Sequence, residues 1–344
     1  MRRVLGSLAV GTALVVVALA PSLAGASPGQ ARDLASAATG LTAGFELNNR
    51  PRIENAAGLG VTTAIEYNGA PPVGSRLARV FAEYHVTVID ARISDVLGEW
   101  ECHRTHTVAP PPPGEEDWYC PKDGEPGVDS PAVVLAQVRE WVKEDASNPL
   151  VKGYWVLDDW APWDGGSGRA LLGEIHQVID ELTPGLPAIC GFGGAIDELG
   201  QSGGFEAPIA ANYSNAGCDA VGLYNYAEGA PQPAGGEGLD WSMNLLLGEE
   251  REALAGEGWV QANTPLLGID QGWSGRTSGR EYEPGLSVAQ MVAEARAFCA
   301  AGAASIAWYG WGGVSRKAQT ATNSPTISEG IKQGLAACAE YGVG

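Results

Sequence analysis

Short apolar runs rich in β-branched residues recur along the chain at 41–47, 61–67, 86–93, 151–159, 187–192, 219–226, 265–271 and 304–311. Runs of this length bounded by Gly, Pro or polar residues predict strands buried on both faces. Between most of them the period changes. In 130–145 the apolar residues Val134, Leu135, Val138, Trp141 and Val142 fall at helical spacing, and 169–182 and 287–301 behave likewise. The connection after the first run, 51–59, is short and is the weakest element. Strands alternating with helices predict a parallel sheet covered by helices. Eight such strands point to closure, so the expected fold is α/β, a single (β/α)8 barrel. An open doubly wound sheet would carry a glycine-rich phosphate loop after its first strand. Here the first run leads instead into Glu46-Leu47-Asn48-Asn49.

The barrel is expected to occupy residues 27–344. Ahead of it, Met1-Arg2-Arg3, an apolar run over 4–20, Pro21 and the small-residue exit Ala24-Gly25-Ala26 have the order of a secretory signal peptide cut after Ala26. The run is broken by Gly6, Ser7 and Gly11 and barely reaches spanning length, which argues against a membrane anchor. No second apolar stretch of that length follows, so the cleaved chain is expected to be secreted and free of the membrane. One long insertion, 95–130, follows the third strand. It holds the proline run 110–113 with Trp100 and Trp118, and reads as a lid or binding wall.

The chain has 21 basic and 41 acidic residues, a formal net charge of −20. Such a surface repels phosphate backbones, so nucleic acid is excluded as a main partner, and an anionic polysaccharide is disfavoured. Six cysteines in an exported chain predict disulfides, paired by neighbourhood as Cys102–Cys120, Cys190–Cys218 and Cys299–Cys338. Cys102, His103, His106 and Cys120 also have the residue types of a zinc site. An oxidising compartment and the proline-rich spacer favour the disulfide, so no metal and no cofactor are expected. Nothing in the sequence argues against a monomer.

Barrel active sites lie at the C-terminal ends of the strands. Here those ends carry Glu46, Glu66, Asp90 with Arg92, Asp158-Asp159-Trp160, Tyr224-Asn225-Tyr226, Asp270-Gln271-Gly272-Trp273 and Trp308-Tyr309-Gly310-Trp311. Carboxylates and aromatics therefore converge on one face. The fourth strand reads Gly153-Tyr154-Trp155-Val156-Leu157-Asp158-Asp159-Trp160, and Leu59-Gly60-Val61-Thr62 leads into the second. With Tyr224-Asn225-Tyr226, Gln271 and the run from Ala301 to Trp311, this ordered set resembles clan A-type glycoside hydrolase barrels whose fourth strand ends in Asp-Glu-Pro. The resemblance spans nearly all of 27–344 and implies a carbohydrate-active enzyme without naming the sugar. Two positions depart from it. The family's acid/base Glu is matched by Asp159, and its strand-seven nucleophile Glu by Asp270-Gln271. A side chain one methylene shorter displaces the carboxyl enough to slow a reaction on the order of a hundredfold unless the backbone compensates.

Glycoside cleavage needs an acid for the leaving oxygen and a carboxylate that attacks or activates water. Asp159 is the expected acid, with Tyr154, Trp160 and Trp163 as apolar surroundings. Asp270 is the positional choice for the second carboxylate, with Glu66 and Glu46 as alternatives. Asp158 either joins the chemistry or caps a helix or pairs with an arginine. Asp90 and Arg92, two apart on a strand, are expected to share a face and to orient ligand or hold the pocket together. Of the 11 tryptophans, Trp100, Trp118, Trp160, Trp163, Trp273 and Trp311 fall at or beyond strand ends, where flat rings stack on sugar faces. Trp160 and Trp273 are the strongest of these, and Trp141, Trp155 and Trp259 read as core. Tyr224, Asn225, Tyr226 and Gln271 complete the expected binding set. The histidines, at 85, 103, 106 and 176, lie away from it, and no His-Glu-x-x-His or Gly-x-x-x-x-Gly-Lys motif is present. Two other readings stay open. One is a carbohydrate-binding barrel without catalysis; the other is a deacetylase or lyase, which needs a metal cluster or a base–arginine site.

Overall fold

A computed structural model describes residues 37–106, 128, 130–158, 167–193, 206–225, 247–274, 286–312 and 318–343. Strands β1 (Thr42–Phe45), β2 (Thr63–Glu66), β3 (Thr87–Asp90), β4 (Val151–Leu157), β5 (Ala188–Gly193), β6 (Ala220–Asn225) and β7 (Leu266–Gln271) pair in parallel and in order. The ring closes through β9 (Ser305–Tyr309), which pairs with both β7 and β1. Two short strands, β8 (Trp273–Ser274) and β10 (Gln319–Thr320), form an antiparallel pair outside the ring. The helices are α1 (Arg50–Leu59), α2 (Arg76–Glu83), α3 (Arg92–His106), α4 (Pro131–Asp145), α5 (Ser167–Leu182), α6 (Glu206–Asn212), α7 (Leu247–Gly256), α8 (Val288–Ala300) and α9 (Pro325–Ala339). The protein is thus a closed (β/α)8 barrel, and each apolar run contributes its strand. Among the described residues no helix is long and apolar enough to cross a membrane. The signal-like segment 1–26 and the proline run 110–113 lie outside the described residues.

Local chemistry explains the helix boundaries. The Asn49 side chain accepts from Arg52 N, Pro51 occupies the first turn, and Gly60 ends α1 in the left-handed region, so even the short 51–59 connection is helical. Ser287 and Gln290 form a capping box at α8. The third run departs from expectation. Its strand stops at Asp90 and α3 begins at Arg92, because the Asp90 carboxylate accepts from the Arg92 backbone N–H at 3.0 Å and starts the helix. Asp90 and Arg92 therefore do not share a strand face. Residues 95–106, expected to open the long insertion, continue α3.

Alternation along the strands sends one set of side chains into the barrel: Phe45, Ile65, Ile89, Trp155, Ile189, Tyr224 and Ile269 are all buried in one cluster. The large indole of Trp155 fits there because β5 and β6 carry glycine opposite it. A Cβ at Gly191 would stand 2.3 Å from Trp155 Cζ2, and one at Gly222 2.5 Å from Cη2. The other set packs against the helices in two further clusters. Cys190–Cys218 ties β5 to the segment before β6, and Cys299–Cys338 ties α8 to α9. Both match the neighbour pairing, while Cys120 falls outside the described residues. Replacing both Cys299 and Cys338 by Ser is expected to lower stability by about 3 kcal/mol through the freed unfolded chain, measurable by denaturant unfolding.

Candidate active site

At the C-terminal end of the barrel inward positions of five strands converge. Phe45 sits among Tyr67, Trp155, Tyr224 and Tyr309, with ring centroids 6.1, 5.7, 5.9 and 5.3 Å away. Asp158, the first residue past β4, lies over this aromatic floor. Its Oδ2 accepts from the Tyr67 hydroxyl at 2.5 Å. Its Oδ1 accepts from the Tyr224 hydroxyl at 2.5 Å and from Trp155 Nε1 at 3.3 Å. Three donors from three strand ends thus hold one carboxylate, which is 2 % exposed. Hydrogen bonds of this kind fix the direction of the carboxyl group.

A second group of carboxyls lies at the rim where β1 and β2 end. Glu46 has φ 58, a left-handed conformation that disfavours a non-glycine residue by about 1 kcal/mol or more. Arg52, on the first turn of α1, donates Nη1 to the Glu46 carbonyl at 3.1 Å and to Asn48 Oδ1 at 3.0 Å, fixing this bend. Glu66 is buried beside it. Burial, and then the nearby Glu46 charge, push Glu66 up to about 8, despite a hydrogen bond from the Leu47 backbone. Burial also raises Glu46, and Arg52 opposes that shift.

Asp90 and Arg92 serve to aim α3. Arg92 Nη2 reaches Asp90 Oδ2 at 2.9 Å and Asp145 Oδ2 at 3.1 Å, and its guanidinium stacks 5.2 Å from the Trp141 ring centroid. Asp90 Oδ2 also accepts from Ala70 N at 3.0 Å. The chain passes close to this pair at Gly69, φ 77, where a Cβ would stand 2.3 Å from Arg92 Nε. With its partners already engaged, the pair holds the pocket wall. The consequence lies one turn on. Ile93, Val96, Leu97 and Trp100 of α3 are buried, leaving Asp95 and Glu99 half-buried, a turn apart on one face. Burial, and then the charges of Asp158, Glu99, Glu46 and Asp90, push Asp95 up to about 7.

The remaining expected residues are placed differently. Asp270 is fully buried and no donor reaches either oxygen among the described residues. Alternation puts it on the same side as Gly268, whose Cα face abuts Phe298 of α8, so it lies between sheet and helices. Asn225, its register partner on β6, is also buried. Gln271 donates to the Trp273 carbonyl at 2.9 Å. Trp273 is buried against Gly310, and Trp311 packs on Gly44 with its Nε1 donating to Asn55 at 3.0 Å. Neither indole presents a face to the mouth. Asp159, Trp160, Trp163, Trp118 and Tyr226 lie outside the described residues. His85 precedes β3 and His176 pairs with Asp219 before β6, both at the opposite end of the barrel. Among the described residues no group of three or more His, Cys, Asp or Glu is arranged to hold a metal.

Sequence reading missed Tyr67, Asp95 and the donor role of Trp155. Tyr67 carried a usable signal, since it stands two residues after the inward Ile65, and Trp155 is itself an inward position of β4.

The chain matches no protein family by sequence pattern and no curated protein by similarity. Among solved structures it is similar to beta-galactosidase from the psychrophilic Marinomonas ef1, at 10% identity and TM-score 0.56, over 86% of this chain and 59% of that one. It is also similar to Ruminococcus gnavus beta-glucuronidase, at 12% identity and TM-score 0.46, over 79% of this chain and 43% of that one. The chain thus spans less than two thirds of the length of either, and the likeness is one of fold.

Proposed function

We propose that this protein is a secreted, monomeric glycoside hydrolase that cleaves O-glycosidic bonds of a poly- or oligosaccharide with two carboxyl groups and no cofactor. The observation that carries the reading is Asp158, a carboxylate clamped by two phenols and an indole over an aromatic floor, at the end of the barrel where such folds do chemistry. Its neighbourhood contains a carboxyl, Asp95, whose environment holds its proton to about 7. A carboxyl fixed by three donors beside one that keeps its proton to about 7 offers the two groups that acid-assisted glycoside cleavage requires.

In this mechanism the sugar ring stacks over Tyr67 and Tyr309, the half-buried rings that cover Phe45. Asp158, fixed by Tyr67 and Tyr224, faces the anomeric carbon as the second carboxylate. Burial on the helix side argues against Asp270 for that task, and Glu66 is a rim residue. Asp159 donates the proton to the leaving oxygen, and Asp95 is the described group suited to the same transfer.

The test is release of reducing ends from a panel of neutral, amino and N-acetylated cell-wall polysaccharides by the native protein, Asp159→Asn and Asp95→Asn. Release that vanishes in Asp159→Asn places the acid there. Release that survives in Asp159→Asn and vanishes in Asp95→Asn moves the acid to Asp95. Since an acid must be protonated to act, kcat then falls as pH rises through about 7 in the native protein. Binding of a glycan without release of reducing ends from any would sink the enzyme reading in favour of a carbohydrate-binding barrel.

A further inference from the structure

Glu46 and Glu66 follow the register pair Phe45 and Ile65 of adjacent strands, which makes them neighbours at the rim. Glu66 is 2 % exposed, and its Oε1 has no hydrogen-bond partner among the described residues; Glu46 Oε2 is likewise unpartnered. The cation beside them does not remedy this. Arg52 directs Nη1 to a backbone carbonyl and to Asn48, and the described ion pairs include neither carboxylate. A buried carboxyl oxygen of Glu66 beside that of the half-buried Glu46, neither with a donor, is unfavourable once both groups ionise unless something brings both charge and donors. A sugar hydroxyl supplies a donor but no charge with which both carboxyls could ionise. A divalent ion supplies charge, but no described set of three ligands is available to hold it. An ammonium group supplies one positive charge and three N–H donors. A net charge of −20 also favours the approach of a cationic polymer.

Resting on the glycosidase reading, we propose that the substrate is a glycan with free amino groups, and that the ammonium of one ring lodges between Glu46 and Glu66. Binding then ionises a carboxyl that was protonated in the free protein, and that proton passes to the buffer.

Calorimetric titration of the purified protein with glucosamine and galactosamine oligomers, and with their N-acetylated forms, tests this. It is run near pH 7 in two buffers of different ionisation heat, on the native protein, Glu66→Gln and the more exposed Glu46→Gln. The expected result is at least tenfold tighter binding of a free-amine oligomer, with proton release, and loss of both in either variant. Equal binding of the N-acetylated oligomer without proton release overturns the amine assignment and leaves the glycosidase reading standing. An amine preference that persists in both variants also overturns the assignment to this pair. Binding of no sugar of any kind overturns it together with the glycan reading.

Discussion

Replacing Asp158 by Asn is expected to lower kcat by about a thousandfold while leaving the melting temperature within roughly 4 °C of the native value. Asn keeps the shape and one acceptor oxygen, and the Tyr67 and Tyr224 hydroxyls can turn to accept from its amide. What disappears is the negative charge facing the reacting carbon. Removing one clamp at a time gives a graded effect. Tyr67→Phe or Tyr224→Phe deletes one hydrogen bond to a charged group, worth about 1.5–3 kcal/mol, and so should lower kcat by about ten- to a hundredfold. Steady-state kinetics beside thermal melts separate the alternatives. Full activity in Asp158→Asn, with large drops in melting temperature in the Tyr variants, would make the cluster a structural anchor and sink its catalytic role.

The barrel was legible because its signal is repeated. Each of the eight runs is short, apolar and bounded, and no single misreading changes the closure. Of the candidate site, placement was legible where it follows from the strand: Asp158 and Tyr224 lie at the C-terminal ends of β4 and β6. The end of β3 shows why boundaries failed. Ala91 and Ile93 extend the apolar run of the strand, yet both are buried after the chain has left it, where α3 starts. A period-2 and a period-3.6 pattern cannot be told apart over so few residues. Asp95 was therefore read as loop, although a helix begun by Asp90 sets it at the mouth. Trp155, read as core, is core, but its approach to Asp158 depends on Gly191 and Gly222, on two strands distant in sequence. Asp270 was overvalued because position along a strand gives height in the barrel and not the side that the residue faces.

That side makes a second strong prediction. Asp270→Asn is expected to stabilise the protein increasingly as pH rises. Burial pushes native Asp270 well above its ordinary value of 3.8, and among the described residues no donor offsets this. In the unfolded chain the same carboxyl releases its proton near its ordinary value. Above that value the native state therefore binds more protons than the unfolded one, so stability falls with rising pH until the native group titrates. One proton difference makes the slope up to about 1.4 kcal/mol per pH unit. Asn carries no such proton and removes the slope. The gap in melting temperature between Asp270→Asn and the native protein should therefore widen as pH rises above the ordinary carboxylate value until the native group titrates, by up to roughly 2 °C per unit. Thermal melts across that range, with reducing-end assays on the same samples, read both properties. A variant with native activity and the widening gap makes Asp270 a buried carboxylic acid of the sheet–helix layer. A variant with unchanged melts and no turnover would return Asp270 to the nucleophile's place and require the seventh strand to turn its end towards the mouth during the reaction.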